Sequence, residues 1–146
     1  MKTKELQELI ADNMKAWQRL ENHTVAGTGK VLEKTDNLVV RLIMEIIQHD
    51  SILHHRVQDM IVDSLERKPI NLTPEELAEV WSLIEDHIAM EKKAVEFATA
   101  ALEAIRGKQM VVQEYLLNYL LLDESKHDRL LEQLDTIKKG MYPYGG

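Results

Sequence analysis

Acidic residues recur along this chain at positions where a helical protein normally places leucine. Glu21 and Glu91 each interrupt an apolar stripe that advances in steps of three and four residues, which is helical spacing. Asp50 and Asp123 interrupt two further stripes of the same kind. Burying an unpaired charge costs several kcal/mol, so such residues persist in a core only when paired, hydrogen-bonded or bound to a metal. Recurrence in four segments favours a metal.

Two histidines belong to the same pattern. His54 and His127 each follow an aspartate by four residues and precede an arginine by two, so that segments 50–56 and 123–129 look like copies of one motif. Glu124 adds a Glu-x-x-His spacing to the second copy. In carboxylate-bridged metal pairs, two helices each supply one glutamate and two others each supply Glu-x-x-His. The pattern therefore predicts two first-row metal ions bridged by carboxylates and capped by imidazoles.

The predicted metal centre gathers every acidic residue and histidine of these stripes. Its candidate ligands are Glu21, Asp50, His54, Glu91, Asp123, Glu124, His127 and, one helical turn before Glu91, His87. For His87 three roles stay open: a ligand, a hydrogen-bond partner of a ligand, or a structural histidine. The expected ions are two iron or two manganese ions, with zinc as a further candidate. No residue is assigned a catalytic role.

Four long helices must position these residues. Thr73 and Pro74 form a strong helix start, with a capping hydroxyl and a proline at the first helical position. Short turns inside each half predict antiparallel hairpins, and the longest connection is expected at residues 67–73. The sequence thus predicts an all-α, antiparallel four-helix bundle in one domain of residues 1–146. Its predicted helices cover about 3–34, 37–66, 74–105 and 109–139, followed by a non-helical tail at 140–146.

Composition narrows the class of protein. The 146 residues carry a formal net charge of −7, which argues against nucleic acid or an anionic membrane as partner. No apolar run approaches the ~20 residues of a membrane span. The absence of cysteine excludes disulfides, iron–sulfur clusters and cysteine-ligated zinc. A cytoplasmic location is expected, and a homodimer is compatible with the composition.

With these residues in place, the chain resembles the ferritin-like superfamily and, within it, the rubrerythrin-type di-iron carboxylate domains. The resemblance covers essentially the whole chain. It is based on the order of four helices, the Leu-Glu and Met-Glu pairs at Glu21 and Glu91, and the Asp-Glu-Ser-Lys-His run at 123–127. It implies a ferritin-like fold, iron, and reduction of peroxide or dioxygen with electrons from a separate donor, which would make the protein a di-metal oxidoreductase.

The chain differs from the rubrerythrin pattern in three respects. Ser51 stands where the Glu-x-x-His spacing would place a glutamate, and Asp50 is one position earlier and shorter. Ala94 stands where a second glutamate often follows Glu91. No cysteine-rich rubredoxin module is present. The differences at Ser51 and Ala94 bear on whether a second metal ion has enough ligands. The absence of a rubredoxin module bears on where the electrons would come from.

The sequence is also compatible with a function other than that of an oxidoreductase. A non-catalytic helical bundle could use a single structural metal, or only salt bridges in its core, and act through its surface or as a dimer. A haemerythrin-like oxygen carrier is disfavoured because the chain contains no His-x-x-x-His. Metal content and peroxide consumption distinguish the two leading functions.

Overall fold

The computed structural model describes residues 1–68 and 70–141, and all of their regular structure is α-helical. The all-α fold class is confirmed, with the four long helices that a four-helix bundle requires. Their bounds are α1 Thr3–Lys34, α2 Leu38–Glu66, α3 Pro74–Ala104 and α4 Val111–Met141. The largest difference from the predicted bounds at a helix start is two residues, at α4.

Local capping explains where two of the helices begin. The Asn37 side chain accepts hydrogen bonds from the backbone N–H groups of Val39 and Val40, so α2 begins one residue after Asn37. The Thr73 hydroxyl accepts a bond from the backbone N–H of Glu76 over 3.3 Å, which confirms the predicted cap of α3. Each cap satisfies helical donors that lack a partner in the first turn.

The four helices pair as two antiparallel hairpins. In the first hairpin, α1 and α2, contacts run from Lys15–Glu66 at one end to Arg41 on the carbonyl of Leu32 at the other. The second hairpin, α3 and α4, is tied by Lys92 to acidic residues of α4. Contacts divide the chain between Asn71 and Leu72 into two compact units that match these hairpins, and each is described by itself. The single-domain assignment stays a prediction.

Only the connection between the two hairpins has its predicted length, because six residues instead of the predicted three join α3 to α4 and three instead of two join α1 to α2. The longest runs from residue 67 to residue 73, where it was expected, and one of its residues, Pro69, lies outside the described part of the chain. Between α3 and α4, Gly107 adopts a φ of 76°, a left-handed conformation that disfavours residues with a Cβ. This glycine allows the tight reversal after Ile105.

The prediction of a non-helical tail was wrong for its first two residues. Gly140 and Met141 continue α4, whereas residues 142–146 lie outside the described residues. A glycine costs a helix only about 1 kcal/mol. Lys138 and Lys139 in the last turn oppose the negative end of the helix dipole, and Lys139 pairs with Asp135 at 2.9 Å. These interactions offset the glycine.

Apolar burial inside each hairpin is sparse. The buried hydrophobic residues among those described are Ala11, Val62, Leu77, Trp81 and Ala98. Within the described range α4 has no fully buried residue, and many large apolar side chains of all four helices are exposed. None of the described helices combines the length and apolarity needed to cross a membrane. The hairpins therefore present wide apolar faces on either side of their buried polar residues.

Candidate metal centre

Glu91 is the buried centre of the second hairpin. It lies on α3 and is only 8% exposed. Its Oε1 atom is 2.9 Å from Nε2 of His87, one turn earlier on the same helix. Its Oε2 atom is buried and accepts no hydrogen bond from an N–H group of the described residues. A buried carboxylate oxygen without a donor is costly, and a cation would remove that cost.

Two side chains of α4 face Glu91. Nδ1 of His127 lies 3.5 Å from Glu91 Oε2 and 3.6 Å from an oxygen of Glu124. One ligand atom from each of these three residues lies within 4.8 Å of the other two. Two atoms bound at about 2.1 Å to one ion are about 3.0–3.4 Å apart in octahedral or tetrahedral geometry. A small inward movement of these side chains would therefore suffice for a metal ion.

Asp123 fixes the other side of the histidine ring. Its carboxylate lies 3.5 Å from Nε2 of His127 and 2.8 Å from Nζ of Lys126. Histidines that bind a metal through one ring nitrogen commonly donate the other N–H to a carboxylate. Asp123 is therefore placed to orient His127 rather than to bind the ion itself, and His87 occupies a comparable position beside Glu91.

The pKa values of the two glutamates of this centre shift in opposite directions. Their mutual hydrogen bond is the largest cause of a lowered pKa for Glu91, which nearby His127 and His87 lower further against the effect of burial. The same hydrogen bond, followed by burial and the charge of Glu91, raises the pKa of Glu124. Glu124 therefore keeps its proton to a higher pH than a carboxyl group usually does. A cation between the two oxygens would take the place of this proton.

The first hairpin contains a smaller version of this centre. Glu21 of α1 is 6% exposed, and its Oε1 atom lies 3.3 Å from Nδ1 of His54 on α2. The side-chain amide of Gln58 donates to the same oxygen over 3.5 Å, while the Oε1 atom of Gln58 is buried without a hydrogen bond from the described residues. This hairpin thus supplies one carboxylate and one imidazole.

Two other residues distinguish the hairpins. Asp50 is half-buried and forms no ion pair with any residue in the described ranges, unlike Asp123. Ser51 is buried at the position that corresponds to Glu124. The histidines are also more exposed than their stripes predicted: the side chain of His54 is 56% exposed and that of His127 is 39% exposed. A stripe shows which residues share a face, not how fully that face is covered.

The structure groups the predicted ligands within each hairpin. Glu21 and His54 lie together in the first. The second brings together a larger set: His87, Glu91, Asp123, Glu124 and His127. Convergence of both groups on one site stays a prediction. The sequence argument missed Gln58, whose only signal was its place one turn after His54 on the same stripe.

Comparison with protein-family models, with curated proteins and with solved structures finds no significant match to this chain. The resemblance to the ferritin-like superfamily therefore depends on the residues and helix order described above.

Proposed function

We propose that this chain is a metal-binding protein whose second hairpin holds one first-row divalent cation between Glu91, Glu124 and His127. The observation that carries the proposal is the buried Oε2 atom of Glu91, which accepts no hydrogen bond from an N–H group of the described residues and faces an imidazole nitrogen. Two carboxylates and one imidazole suit iron, manganese or zinc. The surrounding residues fit the same role, since Asp123 orients the histidine and His87 supports Glu91.

Three protein ligands leave open coordination positions for a small molecule. A bound first-row ion supplies Lewis-acid or redox chemistry toward peroxide or dioxygen. The residues of the chain bind the ion and leave it accessible to solvent. Glu124, whose pKa is raised by its hydrogen bond with Glu91, gives up its proton when the ion binds, and the part-exposed ring of His127 leaves a route from solvent. Reduction of peroxide or dioxygen, with electrons from a separate donor, is the activity we propose for this centre.

The predicted second ion is less well supported than the first. Glu21 and His54 provide two ligand atoms, compared with three in the second hairpin. Two ions per chain, as in a di-iron or di-manganese centre, therefore remain a prediction. The ratio of metal to protein decides it, because the second hairpin alone accounts for one ion per chain.

Metal content and peroxide turnover test the proposal. The chain is expressed in iron-rich medium, and bound metal is measured by plasma mass spectrometry for the unchanged protein, Glu91→Gln and His127→Ala. Glu96→Gln is the matched control, because Glu96 is an exposed carboxylate of the same helix that pairs with Lys93. We expect about one ion per chain in the protein and the control, and loss of most of it in both variants.

The two functions separate at the second step of the same experiment. Hydrogen peroxide consumption with an added electron donor should follow metal content across the variants. Bound metal without consumption would favour the structural-metal function instead. Equal metal in His127→Ala and in the Glu96→Gln control would contradict the metal centre itself.

A further inference from the structure

His87 and Glu91 form a pair within α3 that gives the two oxygens of the carboxylate different partners. Residues four apart on a helix are neighbours, and the Glu91 side chain leans back toward the turn that holds His87. Nε2 of His87 lies 2.9 Å from Oε1 of Glu91, a distance typical of an N–H···O hydrogen bond. The other oxygen, Oε2, lies 3.5 Å from Nδ1 of His127 on α4. Oε1 therefore faces the histidine of its own helix, and Oε2 faces the imidazole of α4.

The sequence leaves three roles open for His87, and the structure favours that of a hydrogen-bond partner. In the described part of the chain, His87 is not among the three residues whose ligand atoms all lie within 4.8 Å of one another, which argues against a ligand. Burial of a carboxylate at this place does not need a histidine either, because Glu21 is equally buried with Trp17 one turn before it. Hydrogen bonds lower the pKa of Glu91, first that with Glu124 and also that with His87.

We infer that His87 is a positioning residue that keeps Glu91 bound to the metal ion through Oε2 alone, so that one more coordination position stays open to a small molecule. The inference rests on the metal centre proposed above. Carboxylates bind metal ions through one oxygen or through both. An ion that uses both oxygens of Glu91 competes with the N–H group of His87 for Oε1, and losing a hydrogen bond to a buried charge is costly.

Coordination through one oxygen affects how many positions the ion offers to other molecules. One donor atom from each of the three proposed protein ligands leaves about three positions of an octahedral ion for water or for a small molecule such as peroxide. Coordination by both oxygens of Glu91 would leave about two. His87 thus increases the number of open positions without contacting the ion.

The test uses manganese(II) alone as the probe, bound to the full chain. Electron–nuclear double resonance in deuterated water counts the water molecules and the histidine nitrogens bound to manganese. We expect about three waters and one histidine nitrogen, that of His127, in the unchanged protein. His87→Ala should bind about one water fewer, because Oε1 of Glu91 then takes the place of a water molecule.

Two further variants separate positioning from a structural role. His87→Gln places an amide N–H near the position of Nε2 and should restore the lost water, whereas a structural role predicts no change in the number of waters in either variant. His23→Ala is the matched control, because His23 is exposed and forms no ion pair with any residue of the described ranges. It should match the unchanged protein. Circular dichroism confirms that each variant is helical.

Three results would overturn the inference and leave the metal centre in place. They are an unchanged number of waters in His87→Ala, the same loss of a water in His87→Gln, and a second bound histidine nitrogen that disappears when His87 is replaced. Absence of manganese from the unchanged protein would instead contradict the metal centre itself.

A crystal structure of the unchanged protein with manganese decides the question if His87→Ala does not fold or does not bind the ion. We expect Oε2 of Glu91 about 2.0–2.2 Å from manganese, with Oε1 still beside Nε2 of His87. Both oxygens of Glu91 at bonding distance from the ion would overturn the inference.

Discussion

The two hairpins carry the same buried glutamate in different surroundings. Glu21 and Glu91 are 70 residues apart, and the buried Thr28 and Ala98 are separated by the same interval. The equivalence therefore extends beyond the ligands to the packing of α1 and α3. What differs is the set of partners around each carboxylate, and the two hairpins differ in metal-binding capacity for that reason.

Gln58 is the clearest difference between the surroundings of the two buried carboxylates, Glu21 and Glu91. Its amide donates to Glu21, so that buried charge has a hydrogen-bond partner within its own hairpin. Leu131 occupies the corresponding position of α4, and the Oε2 atom of Glu91 has no N–H donor from the described residues. A carboxylate that is already satisfied gains less from a cation than one that is not.

The second hairpin also has more histidine and glutamate side chains around its buried carboxylate than the first. His87 beside Glu91 is replaced by Trp17 beside Glu21, and Glu124 is replaced by Ser51. The second hairpin therefore places two histidines and a second carboxylate around its buried glutamate, whereas the first places one histidine and a neutral amide there. Similar backbones thus serve one site complete within its hairpin and one that needs further ligands.

The largest expected effect is the loss of metal in His127→Ala. Truncation removes a ligand and leaves two close carboxylates without a counter-charge, so we expect binding to weaken by at least about 100-fold, or about 3 kcal/mol. His54→Ala should cost less, because Glu21 retains the amide of Gln58. Isothermal titration of the metal-free proteins with zinc measures both. Equal losses of zinc affinity in the two variants would show that the two hairpins do not differ in metal binding.

A smaller loss is expected when the orienting carboxylate is neutralised. Asp123→Asn should weaken metal binding in the second hairpin by about 10–100-fold, since the His127 ring loses the charged carboxylate beside its Nε2 atom. Asp50→Asn is the matched control because Asp50 forms no ion pair among the described residues. Affinity by competition with a metal-sensitive dye measures both. A comparable loss in the control would show that Asp50 acts in the same way.

A gain of binding should follow when the missing ligand is supplied. Ser51→Glu in the His127→Ala background restores the Glu-x-x-His spacing ahead of His54, and the groove of about 370 Å³ that Ser51 lines offers room for the longer side chain. We expect about tenfold tighter zinc binding in the first hairpin. Ser51→Gln is the control of equal size. No difference between the two would show that the added carboxylate does not reach the metal.

The smallest effect concerns pH and the metal-free protein. The raised pKa of Glu124 means that its protonated form stabilises the fold at low pH, and this contribution is lost as the pH rises through the raised pKa. The lowered pKa of Glu91 acts oppositely: its contribution is present above 4.5 and is lost as the pH falls through the lowered value. Glu124→Gln keeps a donor toward Glu91 at every pH.

The variant should therefore unfold a few degrees higher than the metal-free wild type at pH 8 and show no such advantage near pH 4. Thermal unfolding followed by circular dichroism at both values measures the difference. Metal should stabilise the wild type and not the variant. A variant less stable than the metal-free wild type at pH 8 would contradict the raised pKa of Glu124.

Helix bounds were largely predictable from the sequence, and the coverage of the apolar stripes was not. Breakers and caps such as Thr73 act locally, so they identify where helices begin. Gly140 misled because lysines near the end of α4 offset its cost. The exposure of His54 depends on what covers its face, which periodicity does not encode. Gln58 was missed because a neutral amide in an apolar stripe carries no charge signal.

We propose that the second hairpin binds a metal ion through Glu91, Glu124 and Nδ1 of His127. A crystal soaked in zinc, with diffraction recorded on both sides of the zinc absorption edge, tests it most directly. We predict an anomalous peak about 2.0–2.2 Å from these three side chains, with Asp123 on the Nε2 side of the ring. No peak there, or an ion bound through Nε2 and Asp123, would contradict the claim.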